Sequence, residues 1–341
     1  MASFEKDGMT VVNNVLTKCS MGNAYAKTDV VIPEGVTKIA ENAFQYFKGS
    51  INNLVLPSSL TELNAKAFCG KMPQNITVSA SNRKFGVVND CLIDNSTQTL
   101  VLASTSIYNP RNALPYDITH GIDEKCKEHL RLENSGRLWR KLPTVKYIGD
   151  YACYGLDNPS YGWNALYLPD SVISIGEYAF SKAKITGVRL NEGLKTIGAH
   201  AFYGSSLWEI VIPRSVTAIR DETFSGCRYL KYCEINHDAT WGNNVFYGAA
   251  LSMHKGLYVA TIRISNVTKI PDNLFHKSIS AVIRLSSDIK RLGDFALGKP
   301  HIVYFGGTLS QWRAVQKGQG HDYLVKCTDG QTGKNIHAYY L

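Results

Sequence analysis

The chain has 341 residues, 44% of them hydrophobic and 19% charged, which excludes intrinsic disorder and leaves ample apolar side chains for a core. Thirty-seven Lys and Arg against 28 Asp and Glu give a formal net charge of +9, a balance that favours acidic partners, although solubility alone would also produce it. No stretch of roughly eighteen apolar residues occurs, and MASFEKDGMTVVNNVLTKCS lacks an apolar run of signal-peptide length, so the expectation is a chain without a membrane span or standard export signal.

Residues 1–19 alternate short apolar runs with the turn pairs Asp7-Gly8 and Asn13-Asn14 and read as an N-terminal cap. From residue 20 to 305 one pattern recurs: an apolar-x-apolar triplet, often Pro, two spaced apolar residues, then Ala-Phe. Clear copies are VVIPEGVTKIAENAF at 30–44, LVLPSSLTELNAKAF at 54–68, LYLPDSVISIGEYAF at 166–180, VRLNEGLKTIGAHAF at 188–202 and IVIPRSVTAIRDETF at 210–224. Phe180, Phe202, Phe224 and Phe246 follow one another at intervals of 22 residues, and weaker copies end at Phe275 and Leu297.

Two-residue alternation places Leu166 and Leu168, or Ile210 and Ile212, on one face of a short strand. One coil cannot close a core, but stacked coils set the strands into a parallel ladder with columns of Ile, Leu and Phe behind it. The fold class predicted is therefore a mainly β repeat solenoid with a parallel ladder on its concave face and short helical turns or loops on the convex face. Pro33, Pro57, Pro169 and Pro213 end their strands without loss of a donor the ladder needs.

Two stretches interrupt the repeat. At 85–104, FGVVNDCLIDNSTQTLVLAS alternates as two strands about Asp94-Asn95-Ser96, predicting a hairpin that protrudes from the stack. Residues 111–146 are charged and irregular, with a helix expected in DEKCKEHLRLENSGRLWRKL. Residues 306–341 read as a C-terminal cap. Thr308 and Gln311 have capping-box spacing for a helix ending near Gly318 and Gly320, and YLVKC and NIHAYY pair about Asp329-Gly330.

The eight cysteines are scattered; Cys69, Cys153 and Cys227 sit near the repeat's Phe position and read as small buried hydrophobes rather than a disulfide framework. No catalytic, metal or cofactor constellation is recognised. Cys126 and His129 lack a second ligand pair, Ser181 and Lys184 lack the accompanying motifs of a serine-lysine enzyme, and Gly333-Lys334 lacks the rest of a phosphate loop.

The segments IPEGVTKIAENAF, LPDSVISIGEYAF and IPRSVTAIRDETFSGC resemble the BspA-type leucine-rich repeats of bacterial and protist surface proteins. The 85–104 insertion and the ending IVYFGGTLSQWRAVQKG also resemble elements of that family, including bacteriophage-encoded versions. The resemblance implies adhesion or protein binding by the concave strand face and carries no catalytic residues. It also implies a cell-surface or virion setting, and with no export signal or wall anchor expected from the sequence as read, the virion setting is the one favoured.

If the triplet ends are buried, the middle residue points outward, giving the column Val31, Val55, Tyr167, Arg189, Val211, Glu234, Arg263 and Arg284. The following turn contributes Thr37, Thr61, Ile173, Lys195, Thr217, Thr268 and Lys290, with Arg189 expected near Lys195 and Arg284 near Lys290. This column is either a basic recognition surface or only the solvated side of the ladder. A second candidate patch is aromatic: Tyr147, Tyr151, Tyr154 and Tyr167, with Tyr161 and Trp163 its most exposed members. The functional expectation is a non-enzymatic module for a protein or glycan ligand with acidic character. A purely architectural spacer is the competing class, and nucleic acid is a minor variant.

Overall fold

The computed structural model describes residues 4–88, 90–105, 145–156, 165–249, 260–278, 282–330 and 332–334. They fall into two compact units, Met1–Ile185 and Thr186–Leu341, each built of stacked coils.

The coil that starts at Glu209 shows the plan in the second unit. Strand Glu209–Ile212 buries Ile210 and Ile212, Pro213 opens a turn closed by Val216, and the two-residue strand Ala218–Ile219 buries Ile219. A second turn then drives Phe224 and Cys227 into the interior before Leu230 leads into the next coil. Each coil thus contributes one strand to each of two parallel ladders. The first runs through Gly187–Arg189, Glu209–Ile212, Tyr232–Ile235, Thr261–Ile264, Val282–Leu285, Ile302–Phe305 and Leu324–Cys327. The second contains Thr196–Ile197, Ala218–Ile219 and Thr240–Trp241, then, as a separate sheet, Lys269–Ile270, Arg291–Leu292 and Gln316–Lys317.

Between the ladders the repeat's Phe residues stack. Phe202, Phe224, Phe246 and Phe275 lie at successive centroid distances of 5.2, 4.9 and 4.8 Å with nearly parallel rings. Phe44 and Phe68 do the same at 4.6 Å in the first unit. The predicted Phe spine is therefore present within each unit.

The corner carrying each Phe is a turn, not a helix, except at Ala65–Phe68, which is 3-10. The residue two before the Phe position has positive φ in coil after coil: Asn42, Tyr151, Tyr178, His200, Glu222, Asn244, Asn273 and Phe295, all between 50° and 60°. This left-handed geometry turns the N–H groups toward the adjacent coil. Glu222 N and Phe224 N donate to Asn243 O and Val245 O, so the corners form a third hydrogen-bond ladder in place of a helix. Asn tolerates the conformation; Glu222 occupies it at a cost of about 1 kcal/mol. Glu222→Asn is expected to stabilise the protein by about 0.5–1 kcal/mol, read as a raised Tm, since its contact with His200 is long and partly exposed. An unchanged or lowered Tm would contradict the strain assignment.

An aspartate beside this position staples coils together. The Oδ1 atoms of Asp150, Asp221, Asp272 and Asp294 accept from the N–H of Glu177, Asn243, Asp294 and Gln319 at 2.7–2.9 Å. Each acceptor oxygen occupies the space beside the glycine that precedes its donor, Gly176, Gly242, Gly293 or Gly318, where a Cβ would lie 2.1–2.4 Å from it.

In the first unit, Phe4–Lys6, Met9–Val12 and Val15–Cys19 form antiparallel hairpins through positive-φ turns at Asp7-Gly8 and Asn13-Asn14. Val15 and Leu16 then pair in parallel with Lys38 and Ile39, which joins these hairpins to the second ladder. The first ladder of this unit begins at Lys27–Val31, followed by Ser50–Leu56 and Asn75–Val78.

The segment at 85–104 departs from the protruding two-strand hairpin. Three antiparallel strands are present, Phe85–Val88, Cys91–Asp94 and Thr99–Leu102, and all four residues of the middle strand are buried. Thr99 and Leu100 pair in parallel with Tyr147 and Ile148, so the meander takes a place in the second ladder. The charged segment at 111–146 lies outside the described residues except for its last two positions, as do Cys126 and His129. Cysteines 19, 91, 153, 227, 233 and 327 are buried and free, whereas Cys69 is exposed because its left-handed backbone (φ 52°) ends the 3-10 turn; the expectation of a buried Cys69 is corrected.

At the C-terminus, helix Leu309–Ala314 has the capping box of Thr308 and Gln311 and buries Leu309 and Trp312, the latter against Phe305. It stops at Ala314, short of the glycines, because Val315 is extended and Lys317 Nζ donates to the carbonyls of Trp312 and Val315 at 2.6 and 2.8 Å. Leu324–Cys327 pairs antiparallel with Thr332–Lys334, so the strand opposite YLVKC starts earlier than NIHAYY, which lies outside the described residues.

His321 closes this end. Its Nε2 donates to Gly293 O at 2.8 Å, which leaves Nδ1 to accept from the Tyr323 hydroxyl at 2.7 Å. Burial first, and nearby Lys317, hold its pKa below the ordinary histidine value, outweighing the Gly293 bond. The neutral form is the folded form, so its contribution is complete above about pH 6.5 and is lost as the pH falls below that. The unfolding midpoint is expected to decline through this window in wild type and less in His321→Gln; equal slopes would contradict the assignment.

Candidate binding face

On the first ladder of the second unit, alternation sends Ile210, Ile212, Cys233, Ile235, Ile262, Ile264, Ile283 and Leu285 inward and leaves the residues between them on the outer side. Register then decides which outer residues are neighbours. Val211 stands opposite Glu234, Glu234 opposite Arg263, Arg263 opposite Arg284, Arg284 opposite Tyr304 and Tyr304 opposite Lys326. Gly187 opposite Glu209 places Arg189 in the same row. The predicted column is thus one continuous row within this unit, two coils longer than the sequence pattern gave: Tyr304 and Lys326 belong to it.

The row changes character along its length. Val211 is 39% exposed and apolar. Glu234 accepts a hydrogen bond from the Tyr232 hydroxyl, whose pKa is raised by burial and by that bond. Beyond it the row is cationic and aromatic: the Arg284 guanidinium sits 4.7 Å from the Tyr304 ring centroid and Lys326 Nζ 6.0 Å from the same centroid. Arg263, Arg284 and Lys326 make no ion pair with a carboxylate among the described residues.

Lys195 and Lys290 are exposed but belong elsewhere. Their carbonyls accept from Thr217 N and Gln316 N at the start of the second ladder, across a turn from the row. Each lysine thus lies across a turn from the arginine expected beside it, immediately before a strand of the second ladder. In the first unit, Val31 and Val55 occupy the outer row with Val31 57% exposed, beside an amide chain in which Asn53 donates to Asp29 and Asn75 to Asn53.

Of the aromatic group, Tyr161 and Trp163 lie outside the described residues, and only the backbone of Tyr167 is described, in strand Ala165–Tyr167. Tyr151 and Tyr154 do meet, at 5.6 Å, but their closer companion is Tyr178, stacked on Tyr151 at 4.9 Å. Tyr147 stands apart on the second ladder.

Coils of two short parallel strands, aliphatic side chains inside and a Phe at each corner, define a leucine-rich-repeat protein. A model of the BspA type leucine rich repeat region matches in 6 copies over residues 17–105 and 146–280, and the chain belongs to that family. Among solved structures it is similar to the pneumococcal vaccine antigen PcpA, at 16% identity and a TM-score of 0.50, covering 86% of this chain and 62% of that one. The chain therefore spans less than two thirds of PcpA's length. It is also similar to leucine-rich-repeat proteins of Bacteroides ovatus (17% identity, TM-score 0.42, 95% and 91% covered) and T. pallidum (27%, 0.33, 48% and 68%). No curated protein sequence matches. Family and fold are those of repeat proteins that are generally non-enzymatic. Among the described residues no helix is long and apolar enough to cross a membrane, and no group of three His, Cys, Asp or Glu could hold a metal.

Proposed function

We propose that the chain is a non-enzymatic recognition or adhesion module that binds a protein or glycan surface through the outer face of its first-strand ladder. The observation that carries this reading is the in-register row from Arg263 to Lys326, where cations with no carboxylate ion pair among the described residues accompany an aromatic ring. The contact with Tyr304 contributes about 0.5–1 kcal/mol at an exposed site and also holds the guanidinium fork pre-organised for an acidic partner. The resemblance of its repeats to those of bacterial surface proteins and bacteriophage-encoded versions supports a cell-surface or virion setting.

The test is binding of purified protein to intact bacteria and to glycan and protein arrays, beside Arg189→Glu/Arg263→Glu/Arg284→Glu. Binding that the variant loses by about a hundredfold while staying folded is the expected result, at roughly 1 kcal/mol for each reversed charge. Absence of any ligand, or equal binding by the variant, would instead favour an architectural spacer.

A further inference from the structure

Resting on that reading, we infer that the ligand is an anionic glycan lying across the strands of the second unit, its acidic groups on Arg263, Arg284 and Lys326. Three features of the face carry this. The first is direction. The three cations are collinear along the stacking axis because each takes the same register position on its strand, with Tyr304 between the last two. A ligand parallel to the strands meets one of them; a ligand along the axis meets all three.

The second feature is spacing. Neighbouring strands lie about 4.8 Å apart, so the row offers cation sites one, then two, strand spacings apart. An extended acidic peptide repeats its side chains on one face at about 6.8 Å and drifts out of step with the row. A pyranose unit measures about one strand spacing, so a polysaccharide with an acid on every unit stays in step with all three cations, whereas one with an acid on alternate units meets only Arg284 and Lys326.

The third feature is the neighbouring row. Val282, Ile302 and Leu324 stand in register two residues before Arg284, Tyr304 and Lys326; Ile302 is buried, and Val282 and Leu324 on either side of it offer half-buried apolar surface beside the charged row. A sugar chain has this same pairing of an apolar ring face with a charged edge. The Tyr304 ring faces the cations and holds the Arg284 fork in place, while its hydroxyl adds a donor and acceptor for a sugar hydroxyl.

The experiment is calorimetry on the full chain with size-defined sulfated and carboxylated oligosaccharides, their neutral counterparts, and polyglutamate of matched charge. At least one acidic oligosaccharide is expected to bind about tenfold or more tightly than its neutral counterpart and than polyglutamate. Arg263→Gln/Arg284→Gln/Lys326→Gln is expected to lose about tenfold or more in that affinity, and Arg214→Gln/Arg220→Gln/Arg228→Gln, which removes equal charge elsewhere, to stay within about twofold. Polyglutamate binding equally well, equal losses in both variants, or no acidic oligosaccharide binding while the arrays return other ligands, would each overturn the glycan assignment and leave the recognition module standing. Empty arrays would remove both.

Discussion

Phe224→Ala is expected to lower stability by about 3–5 kcal/mol, the cost of a large cavity at a position with no solvent exposure. The ring lies between Phe202 at 5.2 Å and Phe246 at 4.9 Å, so truncation removes two stacked pairs, worth about 0.5–1.5 kcal/mol each, as part of that cost. A repeat array has only neighbour contacts to hold its coils, so the lesion should also uncouple the coils on either side. Urea unfolding of the variant is expected to show a lower midpoint and a broader transition. Val211→Thr, on the outer row of the same coil, should change stability by no more than about 0.5 kcal/mol. Equal effects at the two positions would contradict the assignment of the Phe column as the spine.

Gly293→Ala is the second large effect, about 3 kcal/mol of destabilisation. A Cβ there would lie 2.1 Å from Asp272 Oδ1 and 2.5 Å from Asp272 N, and the latter is backbone that no rotamer change can move away. The coils must separate, and the bond from Asp294 N to Asp272 Oδ1 at 2.9 Å is lost with that movement. Asp272→Ala alone should cost only about 1 kcal/mol, one hydrogen bond. Because both changes break the same staple, the double variant should be less destabilised than the sum of the singles by about 1 kcal/mol. Strict additivity in denaturant melts, or a neutral Gly293→Ala, would show that aspartate and glycine do not act as a pair.

The parts of this fold legible in the sequence are those with a period. The interval of 22 between Phe residues sets the phase of each coil, and once the phase is known the alternation of Ile210 and Ile212 fixes which side chains face inward. Local chemistry was equally readable at Thr308 and Gln311, where the helix start depends on residues three apart. What could not be read depends on contacts distant in sequence. The burial of Cys91–Asp94 follows from packing into the stack, and the pairing of Leu100 with Ile148 crosses more than forty residues. Nothing in CLID distinguishes a protruding strand from a covered one.

The row of the candidate site was legible as far as Arg284 and no further. Tyr304 and Lys326 were missed because the glycines and helix after Phe305 read as a cap, although the triplets Val303-Tyr304-Phe305 and Val325-Lys326-Cys327 carry the same apolar-x-apolar signal. The left-handed position before each Phe gives no local sign where Tyr, His or Glu fills it. Only alignment with Asn42, Asn244 and Asn273 reveals it. The positions of Lys195 and Lys290 before the second-ladder strands were not legible either, because distance along the sequence says nothing about which ladder a turn leads to.

The most direct test of the outer row as the contact surface is covalent labelling of lysine and tyrosine side chains with and without the tightest-binding array ligand. Lys326 and Tyr304 are expected to lose reactivity on binding while Lys277 and Tyr46, on the corner turns, keep theirs. Protection of the corner residues with the row left reactive would contradict it.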